Sequence, residues 1–266
     1  MPLDNDPPAG WPKPHRSVFR VVSVSVLTLV AVVTATVAVS AVMTGEVAQA
    51  LVFGIGAILL GHLVGMSISA LRRRAPGPLD GSLGVTDDGE QGLAFPYARW
   101  SYYWLSVVLA LVAVLAAGFA AVMVQEGSAT GWVLAVLAGG FAVSVVWFLV
   151  VVLRLAPGTL VLTPTGIYHR SLVLEHFVPW DAVVDIQARA GPRPWITVKA
   201  MPASGTREHR HTGRLGAFEG QALPFMVART QWLGANSVPA YRALQHYFTH
   251  QQDRPGLTEA GLRASR

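Results

Sequence analysis

The chain has 266 residues, of which 52% are hydrophobic and 13% charged, with a net charge of +5 and a mean hydropathy of +0.45. Soluble domains carry about 25% charged residues, so this composition excludes an ordinary cytosolic enzyme and a disordered chain. With no cysteine, it also excludes a disulfide scaffold, a thiolate nucleophile, an iron–sulfur cluster and Cys-ligated zinc.

Residues 1–16, with Pro7, Pro8, Pro12 and Pro14, read as a flexible N-terminus. Lys13, Arg16 and Arg20 lead into Val21–Met43, which is uncharged throughout. As a helix this run is roughly 34 Å long, enough to cross a hydrocarbon core of about 30 Å. Ala48-Gln49-Ala50 has the small-x-small look of a leader cleavage site, but the apolar run before it is too long for a leader's h-region. A second uncharged run, Val47–Leu71, completes a transmembrane hairpin at 17–71 and ends on Arg72-Arg73-Arg74. Residues 72–99 are a cytoplasmic loop. Two further runs, from Tyr102 to Val124 and from Trp132 to Leu153, make a second transmembrane hairpin at 100–154.

Charges at the ends set the orientation. The basic ends before spans one and three and after spans two and four fall on one side. The connections Thr44–Glu46 and Gln125–Gly131 hold no Lys or Arg. The positive-inside bias then places both termini and the 72–99 loop in the cytoplasm of a multi-pass cell-membrane protein. Trp100, Tyr102, Tyr103 and Trp104 sit where span three enters the interface, and Trp132 marks the opposite one.

Span two carries small residues at helical spacing, Ala57, Gly61, Gly65 and Ser69, a smooth stripe for close helix packing or a dimer seam. Span one carries Ser23, Ser25, Thr28, Thr34, Thr36 and Ser40, whose hydroxyls bond either their own helix or a neighbour. His62 is the ionisable residue within a span. It is either a structural hydrogen-bonding residue or a proton or metal site, and no Asp or Glu within a span offers a second station.

Beyond Pro157-Gly158 short strands follow one another between turn residues: Thr159–Leu162, Ile167–Arg170, Leu172–Val178, Val183–Ala188 and Trp195–Ala200. Pro239 opens a helix with Tyr241, Leu244, Tyr247 and Phe248 on one face, and Trp180, Ile186, Ile196, Leu244 and Phe248 are expected to share a core. Residues 157–252 are read as an independent domain and 253–266 as a frayed tail.

The run from Pro157 through Gly166 to Arg170, followed by Phe177-Val-Pro-Trp180-Asp181-Ala-Val-Val-Asp185-Ile, resembles bacterial pleckstrin-homology-like (PH-like) domains. The whole chain is similar to actinobacterial multi-pass membrane proteins with such a domain after transmembrane hairpins. The resemblance implies a four-helix transmembrane bundle of two hairpins plus a small cytoplasmic antiparallel β-barrel closed by a C-terminal helix. It also implies binding of a lipid, a peptide or another copy. Within the chain, Thr86-Asp-Asp-Gly89 echoes Thr163-Pro-Thr-Gly166, and Val85–Phe95 is a candidate hairpin for pairing with an edge of the C-terminal sheet.

No phosphate-binding glycine loop, nucleophile elbow, zinc helix or calcium loop is present. His209/His211 and His246/His250 have metal-like spacing without a nearby carboxylate set to complete a site, so neither a metal nor a cofactor is assigned and no catalytic residue is named. From residue 157 on there are 12 basic and 7 acidic residues, a net of +5 that equals the excess of the whole molecule. Arg189 and Arg193 fall in one turn, and Arg207, Arg210 and Arg214 in a polar loop. Without a nucleic-acid reader motif, these five arginines are the candidate face for anionic inner-leaflet phospholipid or a protein partner. The sequence thus points to a non-enzymatic scaffold, accessory or regulatory protein in the lipid bilayer, with a membrane-protein partner or homo-oligomerisation open. The alternative is a subunit of a small transporter or channel.

Overall fold

The computed structural model describes residues 8, 11, 18–71, 82–189, 194–212 and 225–258; the side chains of 19, 20, 69–71 and 225 are outside the description. Four helices are long and apolar enough to cross a membrane: α1 (Val18–Met43), α2 (Val47–Leu71), α3 (Arg99–Glu126) and α4 (Ala129–Leu155). Two compact units result, one of these helices and one of the strands with their flanking segments.

In the helical unit α1 packs on α2, with Thr34 Cγ2 beside Gly56. The hydroxyls of Thr28, Thr34 and Thr36 donate to the carbonyls of Val24, Val30 and Val32, one turn back. These three groups therefore satisfy themselves within α1, as a polar group on an apolar helix must when no water is at hand.

The strands of the second unit are β1 (Ser82–Val85), β2 (Gln91–Pro96), β3 (Thr159–Leu162), β4 (Gly166–Arg170), β5 (Leu174–Pro179), β6 (Val183–Arg189), β7 (Trp195–Ala200), β8 (Arg207–Arg210) and β9 (Phe225–Arg229). The short helix α5 (Thr230–Leu233) and the helix α6 (Ser237–Thr249) follow. The strands form two antiparallel sheets, one in the order β1-β2-β3-β4-β5-β8 and one in the order β6-β7-β9. Among the described residues no strand ladder joins the two sheets.

The first sheet is a meander interrupted between β2 and β3, with β8 added beside β5 after β6 and β7. β2 pairs β3 in the register Leu93↔Leu162 to Pro96↔Thr159, and Tyr97 N–H continues the ladder to Gly158 O at 2.8 Å. Residues 98–157, with both helices α3 and α4, are therefore an insertion between two neighbouring strands. The candidate hairpin at Val85–Phe95 lies within the observed one, Ser82–Pro96, which does pair with the later strands. The segment 72–99, read as a separate loop, contributes two strands to the domain that begins at 157, so the sheet does not respect that boundary.

The echoed sequences are the two hairpin turns. Thr86 Oγ1 accepts from Glu90 N–H at 3.1 Å, and Gly89 takes the positive φ of +84° that favours glycine. Thr163 Oγ1 accepts from Gly166 N–H at 3.0 Å. Thr165 Oγ1 donates to Glu90 Oε2 at 2.6 Å, so the turns bond each other.

Phe95, Leu160, Leu162 and Ile167 are fully buried on the first sheet, and Ile186, Ile196, Val198 and Met226 are buried on the second. Trp180, Ile186, Ile196 and Leu244 are buried as expected, whereas Phe248 is half-buried. Trp180 donates Nε1–H to Thr163 O at 2.8 Å, and the Arg254 guanidinium lies 4.7 Å from its ring centroid.

Near each end of the described residues an apolar side chain is buried. Trp11, within the segment read as flexible, is buried with its ring 5.9 Å from that of Tyr241. Gln251–Leu257, which overlaps the segment 253–266 read as a frayed tail, is a 3-10 turn that buries Leu257. Apolar anchors explain both departures: one buried ring or Leu side chain offsets the entropy of ordering a short segment.

The insertion is testable. A chain with 98–157 replaced by a tight Asn-Gly turn keeps both sheets and is expected to give a β-rich circular dichroism spectrum with a cooperative melt. Residues 157–258 alone leave β3 without β2, and are expected to melt lower or aggregate. Equal melting of the two proteins would show that β1 and β2 contribute nothing to the domain.

Candidate functional site

The five arginines of the expected basic face part company. Arg193 and Arg214 lie outside the described residues. Arg207 and Arg210, read as loop residues, lie on strand β8, where Arg207 pairs across from Phe177 and Arg210 from Leu174. The strand escapes sequence reading because all four of its side chains are polar and exposed. An edge strand of this kind is held by the neighbouring ladder, and its charges discourage further pairing.

Ion pairing then decides which charges remain available. The Arg207 guanidinium bridges to Asp88, lies 3.9 Å from Asp87 and sits 4.9 Å from the Phe177 ring centroid. Arg210 bridges to Glu208. On the other sheet Lys199 meets Asp185 at 3.3 Å. Arg207 thus ties β8 to the turn between β1 and β2, and the acidic pair Asp87-Asp88 neutralises the charge that the sequence offered to a ligand.

Arg189 remains exposed at the end of β6. The register Arg189↔Trp195↔Arg229 places it in one row across β6, β7 and β9. Residues directly opposite one another in antiparallel strands share a face. Trp195 is 36% exposed and Arg229 is exposed. Neither of the flanking arginines has an ion pair among the described residues. Trp195 and Arg229 escape the sequence reading because the row exists only once the register is set.

A second polar constellation is buried where β2 runs toward α3. The Tyr97 hydroxyl lies 2.6 Å from His169 Nε2, and the Tyr97 ring stacks on Trp232 with centroids 6.5 Å apart. Ala98 N–H donates to Trp232 O at 2.7 Å, and Asn236 Nδ2 donates to Pro96 O at 2.7 Å. Burial drives the His169 imidazole down to about 3, and His176 opposite it on β5 pushes the same way. With the ring neutral, the phenol donates to Nε2 when the ring proton sits on Nδ1. This cluster clamps residues 96–98 to the domain. On the same sheet burial first, and Glu175 second, raises the Tyr168 phenol to about 12.

The histidine pairs are close within themselves. The His209 and His211 rings are 4.4 Å apart and His211 Nε2 is 3.8 Å from Glu175. The His246 and His250 rings stack at 4.6 Å and His246 Nε2 is 2.9 Å from Asp253. Among the described residues no group of three or more His, Asp or Glu is arranged to hold a metal ion.

In the helical unit the small-residue stripe is used unevenly. A Cβ at Gly65 would overlap the Trp104 ring of α3, whereas a Cβ at Gly61 meets nothing within 4 Å. Ala57 is half-buried, and the Ser69 side chain lies outside the description. His62 packs edge-on to Trp104, centroids 5.5 Å apart, and lies 6.2 Å from Tyr103. Its Nδ1 donates to Ile58 O at 2.8 Å. His62 and Gly65 thus share one aromatic partner on α3.

No protein-family model, curated protein or solved structure matches the chain.

Two outcomes follow from these contacts. Gly65→Leu is expected to lower stability in detergent by about 1–3 kcal/mol through overpacking against Trp104, while Gly61→Leu leaves it unchanged. Paired thermal melts check this, and equal melts would remove the contact. For His169, the unfolded ring binds a proton below about pH 6.5 and the folded ring does not until about pH 3. Its contribution to stability is therefore complete above pH 6.5 and is lost as pH falls through that window, by up to about 1.4 kcal/mol per pH unit. Denaturant titrations of the sheet domain between about pH 7 and pH 5 should show a shallower fall for His169→Gln, and an unchanged slope would assign the acid sensitivity elsewhere.

Proposed function

We propose that this chain is a non-enzymatic integral protein of the cell membrane, with both termini and residues 72–99 on the cytoplasmic side. In this reading its sheet domain is a PH-like module that binds anionic inner-leaflet lipid or a protein partner in a scaffold, accessory or regulatory role. The observation that carries it is the insertion of α3 and α4 between β2 and β3. A single domain is thereby built from chain segments on both sides of a membrane-length hairpin, and is tethered through three connections, after α2, before α3 and after α4. Tethering raises the effective concentration of the domain toward anything at the membrane, so modest contacts suffice for occupancy.

Two measurements test the reading. The chain lacks cysteine, so single cysteines report topology cleanly. Cysteine at Ser128 is expected to react with an impermeant thiol reagent on whole cells and cysteine at Ser82 only after lysis; the reverse pattern overturns the orientation. The full chain purified in mild detergent is expected to carry one protein or an anionic phospholipid in excess over a chain truncated after Leu155. Identical accompanying material would argue against a binding role for the domain.

A further inference from the structure

From the cross-strand row Arg189–Trp195–Arg229 we infer a docking face for the phosphate headgroups of an anionic lipid surface, which rests on the membrane-anchored binding role proposed above.

A census of cations isolates this row. Among the described side chains from 157 to 258, Arg207 and Arg210 are ion-paired, and Lys199 meets Asp185. Arg170 donates to Pro157 O, and Arg254 donates to Tyr247 O while covering Trp180. Arg242 is also partnered. Arg189 and Arg229 alone remain without a partner among those residues. The register sets both directly beside Trp195, on adjacent strands spaced about 4.8 Å apart.

The acid nearest along this face, Asp185, is already held by Lys199 and Gln187. Among the described residues the positive charge of the row is therefore without an ion pair. Its geometry is also fixed before any ligand arrives. Pro194 O, next to Trp195, accepts from Thr230 Oγ1 at 2.7 Å and from Thr230 N–H at 3.3 Å, next to Arg229. An ordered site loses less entropy on binding.

Two guanidinium groups on either side of a half-open indole suit a particular chemistry. Guanidinium forks match phosphate oxygens bidentately. An indole prefers the headgroup level of a bilayer, with its ring in apolar matter and its N–H in water. A flat row across three strands suits a planar array of phosphates better than a deep single-ligand pocket. The membrane is also the anionic surface that this chain always has within reach, since four of its helices are long and apolar enough to span one.

The full chain is reconstituted in nanodiscs of neutral lipid, or with about a third anionic phospholipid, each doped with a headgroup-linked quencher. The difference in fluorescence between wild type and Trp195→Phe isolates one of the eight tryptophans. Quenching of that component in anionic discs, relieved by salt and absent in neutral discs, is the expected result. In Arg189→Gln/Arg229→Gln the docked-to-free ratio should fall about thirty-fold, at about 1 kcal/mol per arginine, with an unchanged circular dichroism spectrum. Arg210→Gln should leave it unaltered. Equal quenching in both discs overturns anion recognition, and quenching in neither overturns the docking face. Neither outcome touches the topology or co-purification results on which the broader role stands. Release by inorganic phosphate but not by chloride of equal ionic strength would assign the site to free phosphate and overturn the lipid assignment.

Discussion

The architecture depends on one ladder, the pairing of Leu93–Pro96 with Thr159–Leu162. Without it β1 and β2 would be a two-stranded hairpin, marginal in water on its own. With it Phe95 and Leu160 become fully buried, the two threonine turns meet through Thr165 and Glu90, and Tyr97 reaches His169. Interposing some sixty residues between neighbouring strands is less costly than it looks. Loop-closure entropy grows by only about 0.6 kcal/mol for each doubling of length.

Three buried polar side chains around that ladder are specific because each has its partner. Trp180 gives its indole hydrogen to Thr163 O, Tyr97 shares a hydrogen bond with His169, and Thr163 Oγ1 closes its own turn. The first two of these pairs join residues from different strands or turns. An alternative register would bury the same groups unpaired, at a cost of about 1–3 kcal/mol each. Apolar residues give the sheets their stability, and these bonds select one arrangement among those the apolar pattern allows.

The four membrane-length helices were legible because an uncharged run of more than twenty residues has few other readings. Strands β3 to β7 were legible from alternation and from Gly and Pro at their ends. β8 and β9 were not: Arg207–Arg210 has no apolar period, and Phe225–Arg229 is a short apolar run without strict alternation. The basic face was half legible. Sequence shows where charges stand, but Arg207 is neutralised by Asp87 and Asp88, more than a hundred residues earlier, and nothing local announces it. Arg229 and Trp195 join Arg189 only through register, which is a property of three strands and of none singly. Gly65 stood out by spacing along with Gly61, yet Trp104 approaches one and not the other.

The interrupted meander also imposes an order on synthesis. β2 leaves the ribosome 66 residues before the end of β3, which at about 5–20 residues per second is a delay of roughly 3–13 s. During that interval Leu93 and Phe95 stand on a strand whose partner does not yet exist, while the machinery that handles the chain is threading α3 and α4. A nascent hairpin with an open apolar edge is the form that recruits chaperones or pairs with the wrong strand. Chains that stall within α3 or α4 would keep that edge open, so their fate would be decided by quality control of the exposed β1–β2 hairpin.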